Sequence, residues 1–201
     1  MDEVITGFGR TGKYFASEHW AAEPDILIFG KGVSSGYGPL SGVMATSAIY
    51  DAMRKKKAAF STGHTFSGNP LGAAGALGVL AYIEKHGVVK RAAENGAYLQ
   101  TKLLELMERC PFIDDVRGKG LLWGVEFALD KVTKACFDPA AGITAKVVEA
   151  CFRNGLIVYP SSGFLDGLRG DSILISPPLI IEREEIDLLA ELLEKSVREV
   201  F

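Results

Sequence analysis

The chain has 201 residues, 48% of them hydrophobic, and a mean hydropathy of +0.17. This is a globular composition, long enough for one domain or two small ones with a real core. Its 22 Lys and Arg stand against 25 Asp and Glu, a net charge of −3 that offers no footprint for nucleic acid or an anionic membrane. Cys110, Cys136 and Cys151 are too few and too scattered for a disulfide frame or a zinc site, and His19, His64 and His86 show no ligand spacing. With no signal peptide and no 18-residue apolar run, the expectation is a cytoplasmic protein without a metal.

In chain order, the sequence opens at a turn-like stretch, Gly7-Phe8-Gly9-Arg10-Thr11-Gly12, whose glycines read as turn punctuation. Ile26 to Phe29 is a continuous apolar run and predicts a buried strand of the parallel type. Ser41 to Thr46 predicts a second, shorter strand, and no partner for the first is evident, so residues 1 to 87 read as strand-poor. Ser47 to Lys57 predicts a helix with Ser47 as its N-cap. The basic run Arg54 to Lys57 sits at its end, where cations complement the helix dipole. Residues 58 to 68 predict a polar loop. Asn69-Pro70 starts a helix that runs from Leu71 to Lys85, and His86-Gly87 ends it.

Val88 to Arg109 predicts a long amphipathic helix. Phe112 to Val116 and Gly120 to Phe127 predict strands, with a turn at Arg117 to Gly120 between them. Residues 130 to 141 read as a surface loop, and Ile143 to Arg153 as a helix stopped by Asn154-Gly155. Leu156 to Pro160 and Ser172 to Ser176 predict strands around the Gly-rich loop 163 to 170, and Glu182 to Val200 a closing amphipathic helix. The order is α/β, with a domain boundary expected near residues 87 to 92.

One residue stands out. Lys31 is the only charged residue between Asp25 and Asp51, and it sits between Gly30 and Gly32 at the end of the first apolar run. Burial in an apolar pocket would favour the neutral amine and make it a nucleophile and proton carrier. A strand-end lysine reaching out to water is the other reading, and position alone leaves both open.

Five segments break that tie. DEVITGFGRTG (2 to 12), PDILIFGKGVSSGYGPLSG (24 to 42), GHTFSGNPLGAAGAL (63 to 77), VRGKGLLWGVEF (116 to 127) and ISPPLIIEREEID (175 to 187) resemble, in family order, the class III aminotransferases. These are pyridoxal 5'-phosphate (PLP) enzymes of fold type I, and the likeness is strongest to the ω-amino acid and amine:pyruvate branch. The resemblance implies that Lys31 is the Schiff-base lysine and proton shuttle. It implies that Asp2 pairs with the cofactor's ring nitrogen, keeping the ring an electron sink. Val4 would lie against a ring face, and Thr65 with the backbone of Phe66 would reach the phosphate bound by the neighbouring subunit of a homodimer. Arg169, in the loop before the Ser172 strand, is a candidate for a substrate carboxylate, with Arg117 as a more structural rival.

Ile5 departs from relatives that carry Gln at that place, and resembles the amine:pyruvate branch. Members of the family run to more than twice this length, with their phosphate cup and ring-stacking aromatic before the Asp-Glu-Val segment. The chain therefore looks like a C-terminal half: residues 1–90 the end of a PLP-binding large domain with a linking helix, and residues 91–201 a small α+β domain. The implied activity is transfer of an amino group from an amine or ω-amino acid to a keto acid such as pyruvate. Two alternatives are another PLP reaction on the same scaffold, such as an aminomutase or decarboxylase, and an inactive fragment. On the last reading the lone chain is not a competent transaminase, and residues 26 to 80 expose apolar surface.

Overall fold

The computed structural model describes residues 1–57 and 60–201; the first two residues of the expected loop 58 to 68 lie outside the described residues. The chain divides into two compact units, Met1–Lys90 and Arg91–Phe201.

In the first unit, β1 (Ile26–Phe29) pairs antiparallel with β2 (Gly42–Ala45), Leu27 opposite Met44. Its other edge is taken by residues 1 to 3, where Asp2 forms a parallel bridge with Ile28. Ile28 donates to the Met1 carbonyl at 2.9 Å, and Glu3 donates to the Ile28 carbonyl at 2.8 Å. The expectation of an unpartnered, buried parallel-type strand is thus corrected. β1 is paired on both edges, mainly antiparallel, and only Leu27 of its four residues is buried. A run of four apolar residues cannot by itself distinguish a strand buried on both faces from one exposed on alternate positions.

Helix α1 (Ser47–Lys55) is capped one residue earlier than expected, by Thr46, whose backbone is extended and whose side chain makes no capping bond. Helix α2 (Pro70–Lys85) begins as the sequence dictates: the Asn69 side chain accepts from the Leu71 N–H at 3.0 Å, and Pro70 occupies the first turn. α2 comes close to the loop before β2 at Gly72, where a methyl group would lie 3.1 Å from the Pro39 carbonyl oxygen.

The second unit is built on an antiparallel sheet of order β3-β4-β6-β5, from β3 (Ile113–Lys119), β4 (Leu122–Phe127), β5 (Tyr159–Ser162) and β6 (Asp171–Ile175). Arg117 to Lys119 continue β3, paired with Leu122 to Gly124, so the turn is tighter and later than the sequence suggested. β5 likewise starts three residues after the expected Leu156. On central β4 burial alternates strictly: Trp123, Val125 and Phe127 point into the core. There they meet Leu99, Leu103 and Leu106 of α3 (Val88–Arg109), Val147 and Cys151 of α4 (Ile143–Arg153), and Ile186, Leu193 and Val197 of α5 (Arg183–Val200). Full burial of each such side chain is worth about 1.5–3 kcal/mol.

Candidate active site

β1 and the segment Met1–Glu3 run parallel, so both leave the small sheet at the same end. Ligands of α/β proteins bind at such carboxyl ends. Asp2 lies across from Ile28, and Lys31 follows Ile28 by three residues, just past the end of β1. Between them Val4 faces Gly30: a methyl on Gly30 would lie 3.6 Å from Val4 Cγ1 and 3.5 Å from Ser41 Cβ. The fold therefore brings Asp2, Val4 and Lys31 to one strand end.

Lys31 is exposed rather than sunk in an apolar pocket, and among the described residues it makes no ion pair. Its backbone is unusual. Gly30 is fully extended and Lys31 turns into the left-handed region at φ +41°, opening a 3-10 turn over Lys31–Val33. A non-glycine residue there costs of order 1 kcal/mol. The turn is held by bonds from Val33 N–H to the Gly30 carbonyl (3.1 Å) and from Ser34 N–H to the Lys31 carbonyl (3.2 Å), and by Ser34 Oγ to the Gly38 carbonyl (2.6 Å). Asp2 is also exposed. Its Oδ1 accepts the Val4 N–H at 2.9 Å, and among the described residues Oδ2 has no partner.

Thr65 and Phe66 form a turn ahead of α2; both are exposed, Phe66 at 81%. The turn is closed by Ser67 N–H to the His64 carbonyl (2.9 Å) and Asn69 N–H to the Phe66 carbonyl (3.2 Å). Among the described residues the Thr65 hydroxyl makes no hydrogen bond, and none joins this turn to Asp2 or Lys31. Arg169 belongs to the second unit. Its Nε donates to Asp166 Oδ2 at 2.6 Å, and Asp166 Oδ1 accepts the Arg169 and Leu168 N–H groups. Those bonds, the Arg169 N–H foremost, hold the Asp166 carboxyl down at about 2. Arg117 is clamped between Asp115 and Glu126, which pushes its guanidinium pKa up. Among the described residues no group of His, Cys, Asp or Glu could hold a metal ion, and no helix is long and apolar enough to cross a membrane.

Sequence reasoning passed over Glu3. It is 2% exposed, and its carboxylate takes the Ala16 N–H at 2.9 Å, the Ser17 N–H at 2.8 Å and the Thr6 hydroxyl. Burial pushes its pKa up, but the bonds from Thr6, Ser17 and Ala16 prevail and hold it below the ordinary glutamate range. An acid flanked by Asp2 and Val4 reads as part of the motif; its partners 13 and 14 residues away leave no local sequence signal.

An exposed acid and an exposed amine thus stand near one end of the small sheet, with the aliphatic Val4 beside Gly30. The class III aminotransferase family model matches residues 1–197, and the chain belongs to that family, whose members depend on PLP. It is 41% identical over 199 residues to YodT, an uncharacterised aminotransferase of Bacillus subtilis, covering 99% of this chain and 45% of that protein. It is 40% identical over 199 residues to an alanine/serine racemase of Pyrococcus horikoshii, covering 99% of this chain and 39% of the racemase. The solved structure of an (S)-enantioselective omega-transaminase from Thermomicrobium roseum superposes with a TM-score of 0.91 at 38% identity, over 100% of this chain and 43% of that one. The chain thus spans less than half the length of the proteins it matches.

Proposed function

We propose that the protein to which these residues belong is a PLP-dependent transaminase, moving an amino group from an amine or ω-amino acid to a keto acid such as pyruvate. The observation that carries this is the placement of Asp2 and Lys31 at the shared end of two neighbouring parallel strands, in a chain matched to the family over residues 1–197. The donor set fits the cofactor. An exposed primary amine can hold its aldehyde carbon, a carboxylate oxygen without a protein partner can accept its ring N–H, and Val4 offers an apolar face for the ring. When bound, PLP supplies an electron sink for charge developing on the donor's amine-bearing carbon.

The chain's own residues supply the rest. Lys31 Nζ is the group that can take a proton from that carbon and return it. Asp2, its Oδ1 tethered to the Val4 N–H, holds a negative charge where the ring nitrogen would lie. Thr65 and the Phe66 N–H are the proposed donors to the phosphate of a neighbouring subunit, in a cytoplasmic homodimer. Residues 1–90 then form the closing part of the PLP-binding domain, and residues 91–201 the small domain. Arg169 is the proposed partner of a substrate carboxylate, which would have to displace Asp166.

Borohydride reduction of a PLP-treated assembly in which the site is complete, such as this chain mixed with the N-terminal half of a close relative, followed by peptide mapping, is expected to place the pyridoxyl group on Lys31, and Lys31→Ala to abolish it. A label on Lys13 or Lys119 instead overturns the assignment. A second reading, racemisation of a small amino acid, is favoured by the 40% identity to the racemase, since the same lysine and aspartate serve either reaction. Loss of the donor's amino group to added pyruvate supports transamination; its retention with inverted configuration supports racemisation.

A further inference from the structure

The geometry points to Glu3 as a positioning residue that sets Asp2 and Lys31 relative to each other. The inference rests on the cofactor roles proposed above for those two residues. Glu3 is tied at three points. Its N–H donates to the Ile28 carbonyl at 2.8 Å, joining it to β1. Its carbonyl accepts the Gly7 N–H at 2.9 Å, closing the turn that follows Asp2 and Val4. Its buried carboxylate draws in the Ala16 and Ser17 amides and the Thr6 hydroxyl, closing the whole loop from Gly7 to Phe15.

That loop bears directly on the lysine. Phe8, 6% exposed and in the left-handed region at φ +59°, sits with its ring 5.3 Å from that of Phe15 and 5.8 Å from that of Phe29. It also lies against Gly32: a methyl there would be 3.3 Å from both the Gly7 carbonyl oxygen and Phe8 Cβ. Gly32 is the residue after Lys31 and lies within its 3-10 turn. One carboxylate thus fixes the strand end that carries Asp2, by chain adjacency, and the wall on which the Lys31 turn rests, through Gly7 and Phe8. Neutralising it leaves buried amide donors poorly met and loosens both sides of the site together. Catalytic groups need placement to within roughly 0.5 Å, so a small shift in this loop is felt at the site before it is felt in overall stability.

The test uses Glu3→Gln, which keeps the side-chain shape and one acceptor while removing the charge. Three measurements are made on the full 201-residue chain: amide hydrogen exchange without cofactor, the PLP concentration giving half-labelling of Lys31 by borohydride trapping, and the same titration with 1-deaza-PLP, which lacks the ring nitrogen. The wild type is expected to prefer PLP over the deaza analogue about tenfold, roughly the effect of one good charge-assisted hydrogen bond. In Glu3→Gln the preference is expected to fall to threefold or less. Exchange at Ser17, Gly32 and Val33 should accelerate, while the Arg91–Phe201 unit keeps its protection. A merely structural role would weaken both ligands equally and leave the preference intact, and that result overturns the inference while the proposed function stands. Unchanged exchange at Gly32 and Val33 also overturns it. If the wild type labels Lys31 no faster than its other lysines even when mixed with the N-terminal half of a close relative, the functional reading fails first and this inference with it.

Discussion

In the unit Arg91–Phe201, β4 sends Trp123, Val125 and Phe127 into a core closed by α3, α4 and α5, and Leu99, Leu103, Ile113, Val125, Val147, Ile173, Ile186 and Leu193 are fully excluded from water. In the unit Met1–Lys90 the corresponding interior is a few residues, Phe8, Leu27, Val33, Ala76, Ile83 and Val88, while Tyr37, Val43, Tyr50, Phe66, Leu71 and Leu77 stand more than half exposed. The residues assigned to the cofactor all lie in the second of these. The residues proposed for the cofactor thus lie in the unit that covers itself least, and none of them lies in the unit that folds around its own core.

The comparison is broken most directly by truncating one leucine in each unit. Leu103 is 0% exposed, so Leu103→Ala is expected to cost about 2–5 kcal/mol. Leu77 is 69% exposed, so Leu77→Ala should cost no more than about 0.5 kcal/mol. The chain's two tryptophans separate the readouts, since Trp20 lies in one unit and Trp123, 3% exposed, in the other. With Trp20→Phe as background, urea unfolding followed by fluorescence reports the second unit alone. A comparable loss from both leucines in their own units would show that the first unit is more closed than its exposures indicate.

The next effect sharpens the same point inside the closed unit. Helix α4 starts after Gly142, which has no side chain to cap it; Asp171 of β6 takes over, accepting the Thr144 N–H at 2.9 Å and the Thr144 hydroxyl at 2.8 Å. Asp171 is 9% exposed, so Asp171→Ala strands the Thr144 N–H, leaves the hydroxyl only the Ser161 carbonyl at 3.4 Å, and is expected to cost about 1–3 kcal/mol. Asp171→Asn keeps the accepting oxygen and should lose less than half of that. Equal losses in thermal unfolding would show that charge, not the cap, is what matters.

What the sequence revealed follows the range of the interactions involved. Asn69-Pro70 and the bounds of α3 and α4 were legible because caps and 3.6-residue periodicity are local. Arg117 to Lys119 were misread as a turn because Gly118 resembles punctuation, whereas it lies in the β3–β4 ladder opposite Trp123. β1 was misread because its neighbours, residues 1 to 3 and 42 to 45, flank it from both directions in the chain. At the candidate site, Lys31 stands out in the sequence by its charge isolation and its motif, but its exposure does not. Glu3 and Asp171 were not legible, because each acts on amides 13 to 27 residues away.

A smaller effect comes from Lys131, which stands past the end of α3 and donates to the Met107 and Cys110 carbonyls at 2.9 and 3.0 Å. It meets the Met107 carbonyl in the last turn, shares the Cys110 carbonyl with the Ile113 N–H, and complements the negative end of the helix. Lys131→Met keeps the apolar stem and removes the donors. The expected loss is about 1 kcal/mol in urea unfolding, and no loss would mean that water serves those carbonyls equally well.

The smallest effect concerns Arg169 and decides whether the self-sufficient unit has any part in recognition. Asp166 has its carboxyl lowered from 3.8 to about 2, first by the Arg169 N–H, then by the Arg169 side chain. A depressed acid stabilises its loop only while ionised. The contribution is whole above pH 3.8 and disappears as pH falls through about 2, so near neutrality the pair is intact. Because both partners are exposed, the pair matters as a local clasp and not for global stability. Carboxyl carbon NMR should find the Asp166 midpoint near 2, and Arg169→Ala should raise it without reaching 3.8, because the two backbone amides remain bonded. Adding a monocarboxylate such as pyruvate discriminates further. If Arg169 takes a substrate carboxylate, its fork must leave Asp166, and the midpoint rises as ligand is added. A midpoint that ignores saturating pyruvate leaves Arg169 as the clasp of its own loop and confines substrate recognition to other residues.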